Sequence, residues 1–330
     1  MSPLLATQPG VEPTTSVPLS GSARARVLLQ NYAIFVVFIA LLVVGSLLSD
    51  RFLSGQNLLN IGQSVAFTGF AALGMLFVTT SGGFVDLSIP ASMASSGIIA
   101  LALMPTLGVA GGIIAGIASG VVIGSVNGVL IGIFRTNPVL TTLGTNVAAI
   151  GISLIFTQGD IVYSDNEWFS QFAQDRTLGI PHTLWILAAV AVFAHLLLSN
   201  TVLGRWVYPT GGNYSAARAA GVPVRRVMVS VFVICATFSA IGGILLASIN
   251  ESARSNAGLG QEFNAISAVA IGGNSIFGGA GTVPRTIIGV LIVGVLNNLM
   301  ILVGIPPESQ NIVKGALIVS AVLLDLRLRR

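Results

Sequence analysis

A stretch of 48 residues, from Leu87 to Phe134, contains no Asp, Glu, Lys or Arg. A membrane-spanning helix needs about 20 consecutive apolar residues, so this stretch is long enough for two. Charged residues make up 8% of the whole chain, against about 25% in a typical soluble domain. These features exclude a soluble globular enzyme and predict an integral membrane protein.

Seven further stretches of the chain also lack charge. They are apolar on all sides, whereas the strands of a membrane barrel alternate polar and apolar residues over about 10 positions. The sequence therefore predicts an all-α, polytopic membrane helical bundle. Ten transmembrane helices are expected near residues 32–49, 58–80, 88–104, 108–134, 139–157, 183–199, 227–250, 264–277, 285–304 and 312–326.

The distribution of charge predicts the orientation. An even number of spans puts both termini on one side of the membrane. If that side is the cytoplasm, 11 of the 15 basic residues lie in cytoplasmic segments and 8 of the 11 acidic residues lie outside. This matches the enrichment of Lys and Arg in cytoplasmic loops. The pI of about 9.8 is then a consequence of topology, and no nucleic-acid partner is expected, because no basic patch with interleaved aromatic residues occurs.

Composition divides the chain into two parts. Residues 1–26 begin with a segment rich in Pro, Ser and Thr and are predicted to be a disordered cytoplasmic tail. Residues 27–330 are predicted to form one transmembrane domain, and its cytoplasmic connection 204–226 carries four arginines and no acid.

The sequence offers no catalytic, metal or cofactor site. Cys235 is the single cysteine, so neither a disulfide nor a thiolate metal site is expected. His182 and His195 lie 13 positions apart without a cluster of other ligands. Ser119 could pair with His195 as in intramembrane serine proteases, but Ile117 stands where that pattern requires glycine. We therefore predict no catalytic residues.

Glycine recurs every fourth residue in the second half of the long uncharged stretch. A step of four rotates by about 40° around a helix, so neighbouring glycines share one face. Such a face allows helix backbones to approach closely, which favours a central, tightly packed helix; a sliding surface in a moving transporter is the alternative. The glycines are Gly108, Gly112, Gly116, Gly120, Gly124, Gly128 and Gly132.

A few polar side chains fall within or beside the predicted spans. Asp86 follows paired glycines and either caps the next helix or serves as a functional ionisable group. The amides either hydrogen-bond a neutral solute along a translocation path or hold helices together. The candidates for the path are Asp86, Asn127, Asn146, Asn297 and Asn298.

The cytoplasmic connection contains signals for a short capped helix. Asn213 is a favourable N-cap, residues 214–220 are good helix formers, and Gly221 suits the position after the helix. Alanines keep this helix slim enough to enter a groove. It is either a docking element for a soluble partner or a plain connector.

Several motifs, in order along the chain, resemble one family. The sequence resembles the permease subunits of sugar-type ABC importers, the ribose and galactoside transporter group. Phe84 and Pro90 depart from the usual pattern of that family. The motifs are Ser81–Ser88 (SGGFVDLS), Asn137–Thr145 (NPVLTTLGT), Gly204–Tyr208 (GRWVY), Gly211–Asn213 (GGN) with Ala216–Arg218 (AAR) and Gly221–Val222, Ala268–Ser275 (AVAIGGNS), Gly278–Thr282 (GGAGT) and Asn297–Asn298.

The resemblance implies a non-catalytic permease in the bacterial inner membrane that carries a monosaccharide or related small polyol. It implies three protein partners: a cytoplasmic ABC ATPase, a periplasmic solute-binding protein and a second permease copy or paralogue. The residues implied to couple to the ATPase are Gly211, Gly212, Asn213, Ala216, Ala217, Arg218 and Gly221. Lys314, the single lysine, does not follow glycine, so the chain lacks the Gly-Lys pair of a Walker motif and ATP hydrolysis is assigned to another subunit.

Two alternatives remain open. One is a secondary transporter that uses Asp86 as a proton or ion site. The other is a branched-chain amino-acid ABC permease, because the scarcity of charge near the proposed path suits any neutral solute.

Overall fold

The structure is a computed structural model that describes residues 21–82, 84–306, 309–316 and 319–320. Two small antiparallel pairs, β1 with β4 and β2 with β3, are the strands of this part of the chain. The strands are β1 (Val162–Tyr163), β2 (Arg176–Thr177), β3 (Ile180–Pro181) and β4 (Ser252–Ala253). The helices are α1 (Gly21–Leu48), α2 (Gly55–Gly82), α3 (Ile89–Gly132), α4 (Pro138–Thr157), α5 (Glu167–Phe172), α6 (His182–Asn200), α7 (Val202–Gly212), α8 (Tyr214–Ala219), α9 (Val224–Ile249), α10 (Gln261–Ile271) and α11 (Val283–Leu302).

Six of the described helices are long and apolar enough to cross a membrane, namely α2, α3, α4, α6, α9 and α11. In α1, a shorter apolar segment covers Ile34–Leu48. The prediction of an all-α, multi-pass membrane protein is therefore confirmed.

Helix α3 is a hairpin of two helical arms. Its 44 residues are interrupted at Gly108, whose φ of 73° and ψ of 173° are not helical. The second arm folds back on the first. A Cβ placed on Gly112 would lie 2.6 Å from the Ala100 carbonyl oxygen, and a Cβ placed on Gly116 would lie 2.6 Å from the Ser96 carbonyl oxygen. The two arms correspond to the predicted spans at 88–104 and 108–134, and Gly108 supplies the positive φ at which the chain turns.

Helix α2 is the most enclosed of the spans, since 83% of its apolar window is buried. Small residues bring its neighbours close: Gly69 packs on Leu187 of α6, and Gly74 packs on the backbone of Cys235 in α9. On another side, Gly294 of α11 packs on Val65. The central helix is thus α2, and not the glycine-rich helix that the sequence suggested.

The glycine-rich arm of α3 packs along α9. A Cβ on Gly124 would lie 2.6 Å from the Phe232 carbonyl oxygen, and one on Gly128 would lie 2.6 Å from the Val229 Cα. The opposite side of this arm is exposed and apolar, as at Ile114. The glycine spacing therefore predicted close packing correctly, but the face has fewer neighbours than a central helix would have.

Contacts between loops define two ends of the bundle. At the first, which we call the Tyr214 end, Tyr214 shares a groove with Phe84 and with residues 131–138. At the second, the Ser164 end, Ser164 lies beside Leu101 and Met104, while β1 pairs with β4. The chain alternates between these ends from α2 to α9 in the order that the sequence predicted.

Helix α10 differs from the prediction. A full span was expected over 264–277, but α10 has 11 residues. At 1.5 Å per residue it is about 16 Å long, and the hydrocarbon core of a bilayer is about 30 Å thick. The loop 272–282 covers the remaining distance, because Gly279 donates a hydrogen bond to the Thr80 carbonyl at the Tyr214 end.

The chain termini fall partly outside the described residues. Residues 1–20 of the predicted tail are not described, and residues 21–26 belong to α1. Of the predicted last span, 312–326, the described residues 312–316 and 319–320 are helical. The total of ten spans thus remains a prediction.

A leucine at Gly128 should destabilise the protein, because the backbone of Val229 occupies the space that the side chain needs. Overpacking of this kind costs about 1–3 kcal/mol. Gly151→Leu is the matched control, because no atom lies within 4 Å of a Cβ at Gly151. Thermal unfolding in detergent should show a lower midpoint for Gly128→Leu only. Equal midpoints in both variants would contradict the assigned α3–α9 contact.

Candidate functional site

The predicted short helix is present at the Tyr214 end as α8. The Asn213 side chain accepts a hydrogen bond from the Ala216 N–H at 3.0 Å, and so acts as its N-cap. Gly221, with φ of 85°, follows the helix, and the Val222 N–H returns to the Ala217 carbonyl at 3.0 Å. These two caps explain why so short a segment is helical, since they satisfy backbone groups at both ends.

Helix α8 has one buried and one exposed side. Ala217 is 4% exposed and belongs to the core, while Ser215, Ala216, Arg218 and Ala219 are exposed. Ala217 therefore holds α8 on the bundle. The residues implied to couple to the ATPase that are available at the surface are Gly212, Asn213, Ala216, Arg218 and Gly221.

Sequence reasoning missed α7, which precedes α8 directly. The Thr201 hydroxyl accepts a hydrogen bond from the Gly204 N–H and starts this helix after α6 ends. Residues 202–212 were interpreted as part of a loop. The Thr201 N-cap, followed by the apolar pair Val202 and Leu203, was the available signal.

Helix α7 ends in a close contact with the transmembrane core. Gly211 lies directly against the Thr80 carbonyl of α2 and the Gly279 N–H of the loop 272–282, so that any side chain there would collide with backbone. Gly212 has open space in place of a side chain. Gly211 is therefore an anchor between three segments at which no side chain fits, whereas a side chain at Gly212 would meet no neighbour.

A second bond joins α7 to the same loop. The Tyr208 hydroxyl donates a hydrogen bond to the Gly281 carbonyl at 2.9 Å. Partial burial raises the pKa of this phenol, so it remains a protonated donor at neutral pH. Helix α7 and the loop 272–282 are thus connected at two places.

Asn274 organises the loop itself. Its Oδ1 accepts a hydrogen bond from the Thr282 N–H at 2.8 Å, and its Nδ2 donates to the Thr286 hydroxyl at 3.0 Å and to the Val269 carbonyl at 3.2 Å. This single amide connects the end of α10 to the start of α11. Its position in the motif Ala268–Ser275 was noted in the sequence, but nothing in the motif revealed these partners.

Two of the predicted path residues, Asp86 and Asn127, meet in the interior. Asp86 Oδ1 accepts hydrogen bonds from the Ser88 N–H at 2.8 Å and the Ser88 hydroxyl at 2.6 Å. The Asn127 amide donates to the Ser88 oxygen at 2.8 Å. The remaining oxygens, Asp86 Oδ2 and Asn127 Oδ1, make no hydrogen bond of ordinary geometry, although the Cys235 thiol lies close to the Asp86 carboxylate.

Asn146, on α4, hydrogen-bonds to the backbone beside the Asp86–Ser88 turn. Its Oδ1 accepts a hydrogen bond from the Ala91 N–H at 3.1 Å, and the Thr142 hydroxyl accepts one from the Leu87 N–H at 3.1 Å. Both bonds satisfy backbone donors at the start of α3, which Ser88 itself does not cap. Asp86 is therefore not the N-cap of this helix. Asp86 and Ser88 instead form a turn, and the side chains of Thr142 and Asn146 on α4 satisfy the backbone donors.

Asn298 and Asn297 lie elsewhere, on α11. Asn298 exchanges two hydrogen bonds with Asn57 of α2, at 2.9 and 2.7 Å. This pair joins two helices, as one of the two interpretations of the amides proposed. Asn297 Oδ1 is buried without a hydrogen-bond partner among the described residues. The five candidate residues thus do not form one continuous path.

A groove of about 490 Å³ opens beside α8. Phe84, Pro138 and Met228 give it an apolar lining, and Arg135 supplies a positive charge. Arg218 is exposed on α8, four residues after Tyr214 of the groove, so this end of the bundle presents a basic surface. Within the described part of the chain, no group of three or more His, Cys, Asp or Glu residues could hold a metal.

Comparison with known families identifies the class of protein. The family described as "Branched-chain amino acid transport system / permease component" matches residues 57–322. This match covers well over half of the chain, so the chain belongs to that permease family. Its members are non-catalytic transport components, which agrees with the prediction that the chain is not an enzyme.

Individual relatives are similar over nearly their whole length. The ribose import permease RbsC of Bacillus subtilis is 38% identical, over 90% of this chain and 93% of its own. The L-arabinose transport system permease AraH of Escherichia coli is 35% identical, over 90% of each chain. The ribose permease RbsC of Escherichia coli is 34% identical, over 88% and 92%. No solved structure matched the chain.

Replacing Asn127 by Ala should destabilise the turn before α3. The variant removes the donor to the Ser88 oxygen, and the loss of one partner of a buried polar group costs about 1–3 kcal/mol. Ser88→Ala and the double variant complete a double-mutant cycle. Thermal unfolding in detergent should show that the double variant loses less stability than the sum of the single variants. Strict additivity would mean that the two side chains do not interact.

Proposed function

We propose that the chain is the membrane subunit of an ATP-driven importer for a monosaccharide or related small polyol in the bacterial inner membrane. The similarity to permeases named for L-arabinose and ribose, over about nine-tenths of each chain, carries this proposal. Because the family description names branched-chain amino acids, a permease for such an amino acid is the second candidate.

The Tyr214 end is proposed to face the cytoplasm, with both termini on that side. Six exposed arginines lie in the segments at this end: Arg135, Arg205, Arg218, Arg225, Arg226 and Arg285. The Ser164 end carries acidic residues, such as Asp160, Asp165 and Glu251. An excess of Arg on cytoplasmic segments supports this orientation. In the proposed topology of ten passages, α10 and the loop 272–282 make one passage together.

Helix α8 is the proposed contact with a cytoplasmic ABC ATPase. Its exposed alanines and Arg218 form a slim basic surface, and Ala217 and Gly211 fasten the segment to the bundle. A force applied to α8 would reach α2 through Gly211 and the loop 272–282 through Tyr208. The remaining proposed partners are a periplasmic solute-binding protein at the Ser164 end and a second permease copy or paralogue.

A secondary transporter that uses Asp86 is not favoured. Asp86 has no exposed surface, and one of its oxygens is held by two hydrogen bonds from Ser88. A proton or ion site requires access from solvent. Asn146 and Asn298 are likewise engaged in bonds that hold the fold. Among the path candidates, Asp86, Asn127 and Asn297 each keep one buried oxygen without a hydrogen-bond partner among the described residues.

Reversing the charge of Arg218 should separate the permease from its ATPase. Arg218→Glu is expected to leave membrane insertion intact, because the side chain is exposed, and to reduce co-purification of the ATPase at least about tenfold. Arg254→Glu, an exposed reversal beyond β4 at the Ser164 end, is the matched control and should co-purify normally. Undiminished co-purification with Arg218→Glu would contradict the docking assignment.

Uptake of labelled L-arabinose, D-ribose and leucine tests the substrate class. The chain, expressed with its ATPase and solute-binding subunits, should accumulate at least one of the sugars and not leucine. Omission of the ATPase should abolish uptake. Accumulation without the ATPase would favour a secondary transporter, and accumulation of leucine alone would favour the amino-acid permease.

A further inference from the structure

Helix α10 carries four polar side chains among apolar residues, and three of them form a row. Glu262, the fourth, is also buried and lies outside that row. Gln261, Asn264 and Ser267 recur at intervals of three, so they lie within an arc of about 120° on one side of the helix. Asn264 is 6% exposed and Ser267 is 1% exposed. A helix of this length with three polar side chains on one side needs partners for them.

The partners found are incomplete. Gln261 Oε1 accepts hydrogen bonds from the Thr68 hydroxyl at 3.2 Å and from the Asn264 amide at 3.4 Å. Asn264 Oδ1 and the Ser267 hydroxyl have none among the described residues. A buried polar atom without a partner costs about 1–3 kcal/mol. Buried polar atoms without partners call for an explanation. One explanation is that they bind a ligand in another conformation of the protein.

The row lies next to the exposed edge of α10. Phe263 is the exposed residue of this helix, at 48%, and Ser267 follows it by four positions, so the two share a side. A rotation of α10 by about 40° would bring Ser267 to the exposed position that Phe263 holds, and a rotation of about 100° would bring Asn264 there. An aromatic ring beside an amide and a hydroxyl is suited to a small neutral solute with several hydroxyl groups, which has both C–H faces and hydrogen-bonding edges.

Helix α10 is connected to α8 through the loop that follows it. It is too short to span the bilayer, and the loop that follows it is bonded to α7 through Tyr208 and rests on Gly211. Helix α8 follows α7 after a single residue, Asn213. A displacement of the docking helix thus has a continuous physical connection to α10, through α7 and the loop 272–282.

We propose that α10 is the mobile gate of the translocation path and that Asn264 and Ser267, with Phe263 at the edge, contact the passing solute when α10 turns. Asn264 Oδ1 and the Ser267 hydroxyl, which are unpaired in the described conformation, would then hydrogen-bond to the solute in the open conformation. This inference rests on the proposed importer function, since it requires a partner that moves α8.

Cysteine accessibility tests the gate directly. Cys235 is the single cysteine, so Cys235→Ala gives a background without thiols, with Cys235→Ser as a second background if uptake is lost. Asn264→Cys and Ser267→Cys place thiols on the row. Val269→Cys is the matched control, because Val269 is 0% exposed and lies about 160° around the helix from Ser267.

Membranes holding the permease with its ATPase and solute-binding subunits are treated with a charged methanethiosulfonate reagent, with and without ATP. Ser267→Cys and Asn264→Cys should react about tenfold faster or more during turnover, and Val269→Cys should not. If Ser267→Cys never reacts, or Val269→Cys reacts equally, the gate is ruled out. Wild-type uptake in the same membranes separates this outcome from failure of the importer function: sugar import without labelling overturns the gate alone.

Discussion

Close approach of helix backbones at glycine determines how this bundle is assembled. Between apolar helices in a bilayer there is no hydrophobic driving force, so association depends on packing contact and hydrogen bonds. Gly124 and Gly128 bring α3 against the backbone of α9, and Gly74 brings α2 against the same helix at Cys235. Helix α9 therefore fixes both the central helix and the α3 hairpin, and the two ends of the bundle follow from that arrangement.

The same requirement makes buried polar groups informative. Most polar side chains of the interior are fully engaged: Asn298 pairs with Asn57, Asn274 holds a loop with three bonds, and Asn146 caps α3. Nine buried side-chain oxygens of the described residues have no hydrogen-bond partner, and those of Asn264 and Ser267 lie in one row on α10. Since a helix without water around it cannot satisfy such groups by solvation, the row on α10 is the basis of the proposed gate.

The proposed docking helix α8 and the proposed gate α10 are connected through α7 and the loop 272–282. Gly211 fits only because it lacks a side chain, and it places the end of α7 against both α2 and the loop before α11. Tyr208 adds a directional bond to the same loop. At its other end, α7 packs on α6, where Gly204 lies against the Leu198 carbonyl.

The sequence alone predicted the features that depend on neighbouring residues, and it did not predict those that depend on contacts between distant residues. Hydropathy and capping residues act locally, and they correctly indicated the all-α membrane class, the order of the chain between its two ends, and the capped helix at Asn213. The ordered motifs identified the permease family. Only the tertiary structure showed that α2 is central, that α10 is half a span, that α7 exists as a helix, and that the polar candidates separate into different places. These properties depend on which distant backbone fills the space beside a residue such as Gly211, and no local pattern encodes that.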